Sequence, residues 1–293
     1  MSLLKNPIQF FKNIWNKFIN AIEMMKISFS VLNKHKSTLL FPIYAILTIF
    51  VLIFFCILTL YFSHAINIFK PHSHHISKGM FYAITLSTLF IIIFVGSLII
   101  TLSNLGVCHY TSHILSKKPI SVKNSIMLSL SKIFLVSKWA ALSAFVRIFV
   151  LGSGGNRNNQ VASMFGSILK AGWSMVTFFV MPKFAFENYG LFESIKQSAS
   201  LMKNTFGQSI VANISFSFIH RIIVATIFPS TFYVVSNLFN PIAGFFVSIS
   251  TLLIILPITT TAENIFKVAV YNFATNKPTG PFDTNKIKEM FNK

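Results

Sequence analysis

From Ile222 to Ala262 the chain carries not one Asp, Glu, Lys or Arg, a run twice as long as the about 20 apolar residues a helix needs to cross a bilayer. Water would not tolerate such a segment outside a large core, so lipid is the expected solvent. The run is too long for one pass, and "NLFNP" at residues 237–241 supplies turn chemistry in its middle. It is therefore read as a hairpin of two helices, roughly 208–235 and 241–266. Two more charge-free stretches, 39–63 and 80–105, predict the first and second crossings. Residues 133–151 hold Lys138 and Arg147, and residues 164–186 hold Lys170 and Lys183; counting both as crossings gives six. Composition agrees, with 54% hydrophobic residues, 11% charged ones and 34 Phe, far from the mix of a soluble domain.

Charge placement orients these crossings, because Lys and Arg are retained on the cytoplasmic side of short loops. With the N-terminus inside, only Lys70, Lys78 and Arg157 fall on outer loops, and Arg147, Lys170 and Arg221 fall within crossings. The other 19 of the 25 basic residues lie on cytoplasmic segments. Both termini are expected in the cytoplasm of a bacterial inner membrane protein, and no cleavable signal peptide is recognised ahead of the first crossing. The net charge of +19 is then a topology and anionic-lipid signal. Nucleic acid is not the expected partner, since the cations are scattered and not interleaved with aromatics in one cluster.

Three organisational units follow. Residues 1–38 are an N-terminal amphipathic helix, in which Ile8, Phe11, Trp15, Phe18, Ile22, Met25 and Phe29 recur at helical spacing against Lys12, Asn16, Lys17, Asn20 and Glu23. Such a helix suits the headgroup plane, or packs on the cytoplasmic face of the bundle. Residues 39–275 are the transmembrane domain, with a second amphipathic helix at 190–207 between crossings four and five, its face made by Leu191, Ile195, Ala199 and Met202. Residues 276–293 are a short cytoplasmic tail, helical from a cap at Asp283. The fold class is thus all-α, a polytopic helical bundle.

Reaction chemistry is sparse. The six acids, Glu23, Glu187, Glu193, Glu263, Asp283 and Glu289, all fall on cytoplasmic segments or at the inner boundary, which leaves no intramembrane carboxylate for acid/base work. "GSGGNRNN" at 152–159 lacks the Lys-Ser/Thr ending of a phosphate loop and reads as an outer loop. His72, His74 and His75 could bind a transition metal, or be a solvated loop. Cys56 and Cys108 lie at different depths by helix rise and are read as packing residues, not a disulfide. No enzyme activity, metal or cofactor is expected.

The most informative residues are His220 and Arg221. On crossing five, Asn213, Ser217, His220 and Arg221 share a helical stripe, and a mid-membrane arginine is a functional candidate that needs a partner. Pro182 and Pro257 each free a carbonyl four residues earlier, at Phe178 and Leu253, and are candidate hinges and candidate partners for Arg221. Similar stripes run along crossing two (Ser97, Thr101, Asn104, Cys108) and crossing six (Gly244, Ser248, Thr251, Thr259); they serve either helix packing or a solute path. Two functions remain open: a transporter or pore handling an anionic or amphiphilic solute, and a non-catalytic membrane-organising scaffold that binds anionic lipid or a partner protein. A homo-oligomer or a partner subunit is compatible with either.

Three blocks add a resemblance: "VLNKHKSTLLFP" (31–42), "KAGWSMVTFFVMPKFAFENYGLFESIKQSASLMKNTFGQSIVANISF" (170–216) and "AENIFKVAVYNFATNKPTGPFD" (262–283). They resemble an uncharacterised family of bacterial and archaeal polytopic membrane proteins, domain of unknown function 6159. The likeness spans nearly the whole chain and implies one polytopic domain. It implies no activity and no catalytic residue.

Overall fold

The computed structural model describes residues 7–69, 78–152, 172–173, 176–206 and 211–291. Helix is the only regular structure among them. The elements are α1 (Pro7–Lys34), a 3-10 turn (Lys36–Leu39), α2 (Leu40–Phe69), α3 (Lys78–Leu115), α4 (Val122–Ser131), α5 (Ile133–Gly152), α6 (Val180–Phe186), α7 (Leu191–Phe206), α8 (Val211–Leu238), α9 (Pro241–Ala274) and α10 (Thr284–Phe291). Their ends obey local rules. Ser121 accepts a hydrogen bond from Lys123 N at 3.1 Å to cap α4, and Asn240 accepts from Ala243 N at 2.8 Å to cap α9, with Pro241 at its first position. Asp283 accepts from Asn285 N at 2.8 Å ahead of α10, as its sequence predicts. Beyond α3 and α9, Lys117 and Asn276 each take φ of 54°, and the next residue's N–H turns back to His113 O and Asn272 O, at 2.9 and 2.7 Å.

The molecule has two parts. Where the helix ends meet, a base is packed around Met24, Val31 and Leu32 of α1, Leu105 and Cys108 of α3, Phe179 and Phe184 at α6, Met202 of α7, Ile265, Phe266 and Tyr271 of α9, and Ile287 of α10. Away from the base, α2, α3, α8 and α9 continue as shafts whose large apolar side chains point outward: Phe54 is 61% exposed, Phe90 66% and Tyr233 71%. Such a surface would be an aggregation site in water and is ordinary against lipid. The shafts pair as two hairpins, α2 with α3 and α8 with α9.

Three helices among the described residues are long and apolar enough to cross a membrane: Lys36–Thr59, Phe90–Leu115 and Pro241–Ala274. A fourth span exists if α4 and α5 count as one broken crossing, since the two together pass the test but are bent by 69° at Lys132. Six crossings were expected. The expected third crossing is a helix of 20 residues, Ile133–Gly152, whose first half passes the span test together with α4. Of the expected fourth, residues 164–171, 174 and 175 lie outside the described residues, and its end is the short helix α6 inside the base. The two helices expected at the interface form with nearly the predicted bounds, yet each presses a face into the base: Met24, Ser28, Val31 and Leu32 of α1, and Ser194, Ser198 and Met202 of α7, are buried. Packing on the bundle, the second of the two readings, accounts for those faces.

Candidate functional site

The densest polar cluster grows from "MPKFAFENYG" at residues 181–190. Lys183 and Glu187 stand one helical turn apart, so their side chains meet, with Nζ 2.8 Å from Oε1. Tyr271 of α9 donates its hydroxyl to the same oxygen at 2.6 Å. From the α4–α5 bend, Lys132 donates to Phe184 O at 2.6 Å and Glu187 O at 2.9 Å, satisfying carbonyls that the end of α6 leaves open. Lys277, just beyond α9, lies over the rings of Tyr271 at 5.3 Å and Phe186 at 5.4 Å. Lys183 and Lys277 thus act on one carboxylate while Lys132 holds the neighbouring backbone, and this three-lysine knot joins the α4–α5 bend, α6, α9 and the tail. Burial alone would raise the Glu187 carboxyl, but the hydrogen bonds from Lys183 and Tyr271 and the charges of Lys183 and Lys277 hold it below the ordinary carboxylate range. It is a fixed anion. A second pair, Lys267 and Glu263 at 2.7 Å, stands on α9, and Lys267 lies 5.8 Å from the Phe178 ring.

Above this base an open groove runs between the first hairpin and α4. Phe41, Tyr44, Ala45 and Thr48 of α2, Ile99, Leu102 and Ser103 of α3, and Ile126, Ser129 and Leu130 of α4 enclose about 410 Å³, within the range of ligand clefts, about 300–1,000 Å³. Two of its four hydroxyls are bonded to their own helices: Thr48 donates to Tyr44 O and Ser129 to Ser125 O. The groove therefore offers mostly hydrocarbon, with the Tyr44 and Ser103 hydroxyls as its remaining polar groups. Its lower end is closed by packing that Gly106 permits, because a Cβ there would sit 2.6 Å from the Phe41 ring and 3.2 Å from Ser129 Oγ. Beneath, His109 Nδ1 meets Ser125 Oγ at 3.0 Å and Ser37 Oγ meets the Tyr110 hydroxyl at 2.7 Å. Lys36, five residues before Phe41, and Lys123, three before Ile126, are exposed, about one helical turn toward the N-terminal side of those two lining residues.

Of the residues singled out by sequence, Asn213, Ser217, His220 and Arg221 all lie on α8, as the pattern requires; their side chains lie outside the described residues. Pro257 is inside α9. Pro182 is buried in the first turn of α6, where a helix lacks N–H partners anyway. His72, His74 and His75 lie outside the described residues, as does most of the glycine-rich loop. Three members of the small and polar stripes of crossings two and six make helix contacts: Asn264 Nδ2 donates to Asn104 Oδ1 at 2.9 Å, Thr231 donates to Ser248 Oγ at 3.0 Å, and Gly244 lies against Ser236; Thr101 and Thr251 donate to carbonyls of their own helices. Sequence reasoning missed the Lys183–Glu187–Tyr271 knot. The i, i+4 spacing of Lys183 and Glu187 was a usable signal; the arrival of Tyr271, 84 positions on, was not.

The model of a family of unknown function (DUF6159) matches residues 83–281. No curated protein and no solved structure matches the chain.

Proposed function

The chain belongs to this family of unknown function, and from that premise we propose a membrane protein that holds an anionic amphiphile, a membrane lipid, without reacting with it. The groove carries this reading. It is open on the side of the apolar shafts, its walls are hydrocarbon, and exposed lysines stand about a turn below it, where an anionic headgroup would lie. Six crossings, both termini in the cytoplasm and the base at the inner surface belong to the same proposal. They rest on the charge asymmetry of the loops. The three-lysine knot then faces the anionic leaflet and keeps α4, the groove's lower wall, in place through Lys132.

The transporter reading rests on Arg221, His220, Ser217 and Asn213 with Pro182 and Pro257 as hinges. It is the weaker of the two, because Asn104, Gly244 and Ser248 of the small and polar stripes are engaged in helix contacts, and Thr101 and Thr251 bond to their own helices. Arg221→Leu tests it: a transport role predicts lost flux, with Arg221→Lys intermediate, since lysine keeps the charge without the planar fork.

The lipid reading is tested on the full chain in nanodiscs of zwitterionic lipid doped with phosphatidylglycerol, by native mass spectrometry of what stays bound after detergent washing. Retained phosphatidylglycerol is the expected result, with Thr48→Phe, which fills the groove, abolishing retention. Lys36→Gln with Lys123→Gln should remove the preference for the anionic headgroup and leave chain binding. Equal retention by Thr48→Phe and wild type would refute the proposal.

A further inference from the structure

The tip of the α8–α9 hairpin gathers three strongly exposed apolar side chains outside the groove. Leu238 is 70% exposed, Phe239 76% and Ile242 71%, in a turn where water-loving loops are the rule. The turn supplies part of its own hydrogen bonding. Asn237 Nδ2 donates to Tyr233 O at 2.9 Å, Asn240 Oδ1 accepts from Ala243 N at 2.8 Å, and Phe239 N reaches Val235 O at 3.0 Å. Pro241 has no N–H to satisfy. Two asparagine side chains thereby do at the turn what solvent does at an exposed loop.

Length places this tip. Thr261 is where α9 enters the buried base; from there to Asn240 the helix rises about 31 Å, against about 30 Å of hydrocarbon in a bilayer. With the base at one membrane surface, the tip arrives at the far edge of the hydrocarbon and stops there. The sequence between α2 and α3, "KPHSHHIS", is by contrast mostly polar.

We propose that the α8–α9 tip is an interfacial anchor, with Leu238, Phe239 and Ile242 inserted among the lipids of the leaflet opposite the base. Lipid is the occupant because the outward apolar side chains of Tyr233, Phe245 and Phe246 lead up to the tip, and no charge between Ile222 and Ala262 would orient a protein partner. The α8–α9 hairpin then clasps the bilayer from within. Gly244 and the Thr231–Ser248 hydrogen bond hold the two helices together beneath the tip.

The test uses the full chain carrying Cys56→Ala and Cys108→Ala, with a single new cysteine at Phe239→Cys or Ile242→Cys labelled with an environment-sensitive fluorophore and reconstituted in vesicles of pure phospholipid. A label at Ser73→Cys is the aqueous reference. At both tip positions, nitroxide-bearing lipids should quench severalfold more than iodide, and the order should reverse at position 73. Strong iodide quenching with no lipid quenching at both tip positions would overturn the proposal, and the same labels shielded only in native membranes would assign the tip to a protein partner.

Discussion

Phe179 and Phe54 are the same side chain in two solvents. Phe179 is completely enclosed in the base, with Tyr271 and Phe178 against its ring and its own N–H donated to Ser198 Oγ at 3.0 Å; Phe54 stands 61% exposed on α2. The base is assembled as a soluble core is, by removing apolar surface from water. Along the shafts that force is absent between helices, since lipid chains are as apolar as leucine, and contact depends on close approach and a few hydrogen bonds. Gly244 against Ser236 and Thr231 with Ser248 are such contacts. The difference teaches that hydrophobicity alone does not rank residues in this chain; what surrounds each one does.

The comparison is broken most directly by truncating the two phenylalanines. Phe179→Ala should destabilise by about 3–5 kcal/mol, as large-to-small changes in cores do; Phe54→Ala should fall within about 0.5 kcal/mol. Thermal unfolding in detergent, read from the reaction of the buried Cys108 thiol with a maleimide dye in a Cys56→Ser background, measures both. Equal effects would mean that base and shaft share one packing regime. Next in size, Glu187→Gln leaves the buried Lys183 without its anion and should cost about 1–3 kcal/mol. Because the carboxyl is held below its ordinary 4.5, the wild-type contribution is present above that pH and is lost as pH falls through the lower folded value. The gap in stability between wild type and Glu187→Gln should therefore close in acid; a gap independent of pH would mean that the ion pair is not its source.

Within the shafts the sharpest point is Gly244, where a Cβ would stand 2.1 Å from Ser236 Oγ and 3.0 Å from Phe232 O. Gly244→Ala should cost about 1–3 kcal/mol by overpacking, at the low end if the serine rotates away. Cross-linking of cysteines placed at Tyr233 and Phe245 would report the hairpin opening, and unchanged cross-linking would show that the close approach is dispensable. Smallest of all is the ion pair of Lys286 with Glu23, both side chains 41% exposed. Lys286→Ala should leave the melting transition in place, at low and at high salt alike. A clear drop at low salt alone would show that the surface charges of the base bear weight.

The shafts were legible because their signal is a property of consecutive residues: Leu39–Ser63 and Ile222–Ala262 need only be read along the chain. The cap at Asp283 and the turn at "NLFNP" were legible for the same reason. The base was not, since its members come from six segments and their meeting is set by tertiary packing. Lys183 illustrates the loss. As a cation near an inner boundary it counted as a topology signal; in the fold it is enclosed between Glu187, Tyr189 and Tyr271. Ser194 and Ser198 likewise broke the apolar stripe expected of α7, and both are buried.

One contact sets the order of events during synthesis. Glu23 is bonded to Lys286, and Asn20 to Glu289 at 3.3 Å, so the first helix to be made is covered in part by the last. At roughly 5–20 residues per second, the buried face of α1 waits on the order of ten seconds for α9 and α10 to exist. Translation therefore separates insertion from closure: shafts can enter the bilayer as they emerge, while the base can be completed only at the end. During that interval an amphipathic helix needs a surface, and the headgroup layer is the nearest one. Nascent chains arrested before residue 241 should accordingly leave residues 7–34 membrane-bound and open to protease, and the finished chain should protect them. The lipid affinity of α1 would then be a property of the unfinished protein, spent once its C-terminal helix docks.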